Sequence, residues 1–155
     1  MWNEDYKDML SALLDESADF ILVGAYALAA HGFPRATLDM DLWVRPSHDN
    51  AQKVCNALAS FGAPLSQVSA ADFEKEDMVV QIGVAPRRID LVTGISGLTY
   101  DDAWRGAIVR DIEGIRVRIL SMPDLIRNKL ASGRPKDIED AKLLQKHLDE
   151  SISGR

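Results

Sequence analysis

The sequence predicts an α/β fold: a small mixed, mostly antiparallel sheet flanked by helices, with two C-terminal helices closing one side. Three observations predict it. Short apolar runs such as Phe20–Val23 alternate with segments whose apolar residues recur at helical spacing. Two pairs of strand candidates are joined by short turns, at Ala85-Pro86 and at Glu113-Gly114. Beyond Ser121 the pattern holds two helices and no strand.

At 155 residues the chain reads as one domain, residues 1–150, with a frayed tail at 151–155. Apolar content of 46% and charged content of 27% are ordinary for a globular protein and exclude a disordered chain. No apolar run reaches the length of a membrane span, so no membrane contact is expected. The acidic start, Met-Trp-Asn-Glu-Asp, has no signal-peptide pattern, and a lone Cys55 cannot close an internal disulfide. A reducing cytoplasm is the expected setting. A net charge of −6 argues against bulk binding of nucleic acid. The charge is uneven, however: residues 105–136 carry 8 basic and 3 acidic side chains. That segment is either a local anion site or the solvated face of two amphipathic elements.

In order, residues 3–16 form an amphipathic helix with Tyr6, Met9, Leu10, Leu13 and Leu14 toward the core. Phe20–Val23 is a short buried strand. Gly24-Ala25 follows, small enough for backbone to approach a ligand, and Tyr26–His31 forms a short helix ended by Gly32 and Pro34. His31 caps or packs that helix end, with a chemical role the lesser alternative.

Leu38–Val44 is a strand in strict alternation. Leu38, Met40, Leu42 and Val44 share one face; Asp39, Asp41 and Trp43 share the other, with the two aspartates roughly 7 Å apart at Cα. Aspartate is depleted in strands, so two on one face need a reason. They are either a solvated polar face or a pair that repels unless a cation sits between them. A hard cation with oxygen ligands, Mg²⁺ first and Mn²⁺ as the alternative, answers that repulsion. Arg35 and Thr37 precede the pair on the same side, where Arg35 can hold a carboxylate or meet a phosphate, or be a surface arginine. Trp43 packs.

Ser47 caps a helix over His48–Phe61, stopped by Gly62 and Pro64. Residues 63–77 read as connection. Met78–Val84 and Arg87–Val92 form a hairpin, with Asp90 on its second strand and Arg88 on the same face, able to pair with it. Tyr100–Ala107 is a short helix with Trp104 in the core. Ile108–Ile112 and Ile115–Leu120 form a second hairpin with Arg116 and Arg118 on one face. Ser121-Met-Pro-Asp124 starts the next helix, which ends at Gly133; Arg134-Pro135-Lys136-Asp137 opens the last.

The run Val23-Gly24-Ala25, then Asp39-Met40-Asp41, then Ile89-Asp90-Leu91, resembles the DNA polymerase β-like nucleotidyltransferase superfamily. The fuller pattern His31-Gly32-x-Pro34-Arg35-x-Thr37-x-Asp39-x-Asp41 is similar to small bacterial nucleotidyltransferase-like proteins related to abortive-infection, type IV toxin–antitoxin enzymes. The resemblance covers roughly residues 20–145 and implies a nucleotidyltransferase-like sheet. It implies transfer of a nucleoside monophosphate from a nucleoside triphosphate to a hydroxyl on an RNA end, a protein or a small molecule. It implies Asp39, Asp41 and Asp90 as catalytic metal ligands, and Gly24, Ala25, Arg35 and Thr37 as phosphate contacts. The segment Lys129-x₄-Arg134-Pro135-Lys136-Asp137-x₂-Asp140 extends it, with Lys129 as a triphosphate ligand and Asp137 as an anchor or base. By residue type alone, Asp137 and Asp140 also suit the first turn of a helix, and Lys129 can snorkel from a half-buried stripe. One position departs: Ala25 stands where the family usually has Gly or Ser, and it lacks a hydroxyl for phosphate. Two other readings remain. One is a catalytically weak or inactive module that binds a nucleotide or acts as one partner of a toxin–antitoxin pair. The other, ranked last for want of chain length, is a sugar-nucleotide glycosyltransferase using Asp39-Met40-Asp41.

Overall fold

A computed structural model describes residues 2–34, 39–66, 68–84 and 87–153. Arg35, Thr37, Leu38 and the turn Ala85-Pro86 lie outside the described residues.

The first helix, α1 (Glu4–Asp15), is capped by the Asn3 side chain, which accepts from the Tyr6 backbone N–H at 2.9 Å. Its apolar stripe, Tyr6, Met9, Leu10 and Leu13, is fully buried, while Leu14 turns outward. Then come β1 (Phe20–Val23), α2 (Gly24–Ala30), β2 (Asp39–Val44), α3 (His48–Phe61), α4 (Ala70–Glu74), β3 (Val79–Ile82) and β4 (Arg88–Val92). The chain finishes with α5 (Tyr100–Gly106), β5 (Ile108–Ile112), β6 (Ile115–Ile119), α6 (Met122–Ser132) and α7 (Pro135–Ser153). Residues 63–77 are more than connection: α4 sits in them, started by a reciprocal Ser69–Asp72 capping box and anchored by buried Phe73. The expected frayed tail is helical as far as Ser153.

The strands form one six-stranded mixed sheet in the order β3-β4-β2-β1-β6-β5. The two hairpins, β3–β4 and β5–β6, are antiparallel, as is β1–β2. Two parallel pairings, β2–β4 and β1–β6, join them.

Period-2 alternation splits the sheet into unlike faces. On one, Leu22, Met40, Leu42, Ile89, Leu91 and Ile119 are all buried. The other is apolar at one end and acidic at the other. At the apolar end Trp43 packs edge-on against Tyr100 of α5, centroids 5.0 Å apart, so its role is packing. Trp104 is only half-buried, and Arg118 lies 3.8 Å over its ring. Residues 39–41 of the same strand carry the carboxylates. Among the described residues no helix is long and apolar enough to cross a membrane.

Candidate active site

The carboxylates meet because β2 and β4 run parallel in one register. Asp39 lies beside Arg88, and Asp41 beside Asp90. Sequence spacing placed Asp39 and Asp41 on one face; only the β2–β4 pairing brings Asp90 to them. Asp41 and Asp90 are close enough to hydrogen-bond through one proton. The Asp41 carboxyl is pushed up to about 6, by burial first and then by the charges of Asp90 and Asp39, with Arg88 opposing. Asp90 is buried.

Arg88 lies between two of the three. Its Nη2 is 2.5 Å from Asp39 Oδ2 and donates to Asp90 Oδ2 at 3.2 Å. Its Nε is 3.1 Å from Asp90 Oδ1, an ion pair whose N–H is not aimed at the oxygen; both atoms are buried without a hydrogen bond. The expected Arg88–Asp90 pairing is therefore present, and the contact to Asp39 was not legible in sequence. The Tyr6 hydroxyl donates to the Arg88 carbonyl at 3.1 Å and fastens β4 to α1. Burial, neighbouring Tyr26 and the Asp39 charge push the Tyr6 phenol up to about 12.

Gly24 closes the opposite side. It follows β1, whose Val23 is in register with Asp41, and its φ is +71°. A Cβ built on Gly24 would lie 2.5 Å from Asp41 Oδ2. The absent side chain is the space that the carboxylate occupies.

Gly24 and Ala25 also line a cleft of about 580 Å³, with Leu28, Leu125, Asn128, Lys129, Arg134, Lys136, Asp137 and Asp140. The cleft walls are α2, α6 and α7. Lys129 Nζ is 3.5 Å from Asp137 Oδ1 and 3.4 Å from Asp140 Oδ2. Asp137 further accepts from Ser132 Oγ at 2.7 Å and Arg134 Nε at 2.8 Å. Burial raises its proton affinity, but those two hydrogen bonds and the Lys129 charge outweigh it, leaving the carboxyl below its ordinary range. So Asp137 is an anchor that holds α6 to the start of α7, and Lys129 reaches the cleft already paired. Arg134, Lys136 and Asn128 were not singled out as cleft residues, since only the α6–α7 packing turns them to Gly24. That packing also divides the basic segment: Lys129, Arg134 and Lys136 line the cleft, while Arg116 and Arg118 border a separate small hollow beside Trp104. His31 takes the packing role, its Nε2 2.9 Å from the Leu120 carbonyl.

This arrangement, strand carboxylates beside a glycine turn and a basic cleft on a mixed sheet, is a nucleotidyltransferase-like fold. A Thermotoga maritima protein described as "a putative nucleotidyltransferase" shares it with a TM-score of 0.62, over 97% of this chain and 96% of that one, at 18% identity. Residues 4–152 match the family described as "nucleotidyltransferase of unknown function" (DUF6036), and the chain belongs to that family. No curated protein matches the sequence.

Proposed function

We propose that the protein is a divalent-cation-dependent nucleotidyltransferase that moves a nucleoside monophosphate from a nucleoside triphosphate to a hydroxyl acceptor. The observation that carries this reading is the in-register pairing of Asp41 with Asp90, closed on one side by Gly24 at the mouth of the basic cleft. Family membership and fold support the reaction class.

Among the described residues no group of three or more His, Cys, Asp or Glu side chains is arranged to hold a metal ion. Two carboxylates suffice for Mg²⁺ in phosphoryl-transfer sites, where substrate phosphates and water complete the shell. Asp41 and Asp90 fit that need: hard oxygen donors, side by side through strand register. Asp39 would join them once released from Arg88. A bound Mg²⁺ would supply charge neutralisation on the phosphates and lower the pKa of the attacking hydroxyl.

The chain's own groups do the rest. Lys129, Arg134 and Lys136 offset triphosphate charge in the cleft. Backbone at Gly24 and Ala25 approaches the phosphates. The acceptor oxygen bonds to the α-phosphorus, the bond from that phosphorus to its β-bridging oxygen breaks, and pyrophosphate leaves toward the cleft. The hydroxyl proton passes to the Asp41–Asp90 pair. The expected contacts from Arg35 and Thr37 belong to this proposal too.

The test is thermal shift with ATP, GTP, CTP and UTP, with and without Mg²⁺, followed by transfer of α-phosphate label to RNA, protein and small hydroxyl acceptors. A Mg²⁺-dependent shift that Asp41→Asn and Asp90→Asn abolish, with label transferred, bears the reading out. Triphosphate binding without label transfer to any acceptor would leave the binding-module reading, with a toxin–antitoxin partner as its natural setting. Two features favour that second reading: Ala25 has no hydroxyl for phosphate, and Arg88 already pairs with two of the carboxylates.

A further inference from the structure

We infer that Arg88 is a resident counter-cation, which a divalent ion must displace from Asp39 and Asp90 before the three carboxylates can act as ligands. The inference rests on the metal-dependent reading above and says how that site is gated.

The guanidinium lies where a bridging cation is needed. One nitrogen, Nη2, touches both Asp39 and Asp90, and Nε reaches the other Asp90 oxygen at 3.1 Å. Arg88 sits next to Asp39 and Asp90 through strand register, so the contact is fixed by the sheet and does not depend on a loop. It is also imperfect. Arg88 Nε and Asp90 Oδ1 are both buried, and neither has a hydrogen bond. A well-satisfied structural ion pair would leave no such atoms, because an unsatisfied buried polar group is costly. The single guanidinium offsets part of the cluster's charge without saturating it, which leaves Asp90 Oδ1 ready for a better partner. The Arg88 contacts are to Asp39 and Asp90, whereas Asp41 faces Asp90 through strand register. The first point of entry for a cation is therefore the Asp41–Asp90 pair, and completing the site requires the guanidinium to leave Asp39.

A triphosphate is the natural agent of that exchange. It arrives with its own divalent ion, and its anionic oxygens offer the released fork a new partner of the geometry it prefers. Metal and nucleotide then bind with positive coupling, each strengthening the other by the same factor.

The probe is Mn²⁺, followed by the electron paramagnetic resonance signal of the free ion, with wild type, Arg88→Gln, Arg88→Lys and Asp41→Asn. Circular dichroism checks that each variant is folded. Expected is weak Mn²⁺ binding by wild type alone and binding at least tenfold tighter by Arg88→Gln. Arg88→Lys, which keeps the charge without the fork, falls between them and covers the case in which Arg88→Gln does not fold. A non-hydrolysable ATP analogue should tighten Mn²⁺ binding more in wild type than in either Arg88 variant. The inference is overturned, with the metal reading intact, if both Arg88 variants bind Mn²⁺ no more tightly than wild type while Asp41→Asn abolishes binding. If no form binds Mn²⁺, with or without the analogue, the metal reading falls and takes this inference with it.

Discussion

Gly24 and Asp41 occupy one space: a Cβ on Gly24 would stand 2.5 Å from the Asp41 Oδ2 atom. The two residues are seventeen positions apart, and β1–β2 pairing sets Val23 opposite Asp41. A turn glycine and a strand carboxylate are thus one structural unit.

Gly24→Ala tests that unit. The new methyl meets the carboxylate, and φ of +71° is a conformation that alanine adopts only with strain. A loss of about 1–3 kcal/mol is expected, read as a fall in the urea midpoint. Triphosphate affinity should drop with it, since Asp41 must move. Unchanged stability would mean that the carboxylate is free to swing aside.

The raised Asp41 pKa gives a dependence on pH. A carboxyl pushed from 3.8 to about 6 on folding contributes stability that is complete below about 4 and lost as pH rises through 6. Between pH 5 and 8 that amounts to about 1 kcal/mol. Asp41→Asn removes the titration, so its stability should fall less than wild type over that range. Melting temperatures at several pH values read the difference; parallel curves would show that the carboxyl is not perturbed. Mg²⁺ should raise the wild-type melting temperature above pH 6 and lose its effect below, where protons compete for the same oxygens.

Lys129 separates binding from architecture. Lys129→Met removes a shared cation from Asp137 and Asp140, each mostly shielded from water, and should cost about 1–3 kcal/mol. Adding Asp137→Asn and Asp140→Asn should restore part of that stability. Nucleotide affinity, if Lys129 meets the triphosphate, stays low in the triple variant. Recovery of affinity along with stability would make Lys129 a structural residue.

Asn50 is a structural control. Buried on α3, it accepts from the Asp19 N–H at 2.7 Å and donates to the Asp19 and Arg45 carbonyls at 3.0 and 3.1 Å. Asn50→Ala orphans these backbone groups and should cost about 2–3 kcal/mol, with nucleotide binding unchanged in the folded protein. Loss of binding at a temperature where the variant is folded would tie this clip to the site.

Much of this protein was legible from local pattern. Ser47 and Ser121 start helices as their side chains predict, since a cap needs only the next three residues. Alternation put Asp39 and Asp41 on one face because a strand has period two. The α4 helix was missed although Ser69 and Asp72 form a capping box, because only one buried residue, Phe73, holds that short helix to the fold.

Tertiary structure decided the site. The meeting of Asp90 with Asp41 depends on β2 and β4 pairing in parallel across some fifty residues of chain, and no local preference encodes a register of that reach. The same register set Arg88 between Asp39 and Asp90. Packing of α7 on α6 turned Arg134 and Lys136 into the cleft and gave Lys129 two carboxylate partners. Apart from α4, the sequence by itself determined which segments are helix or strand and which face of each is polar, because those follow from neighbours a few residues away. Which polar faces meet was decided by the sheet order and the burial of the opposite, apolar face, a property of the whole chain.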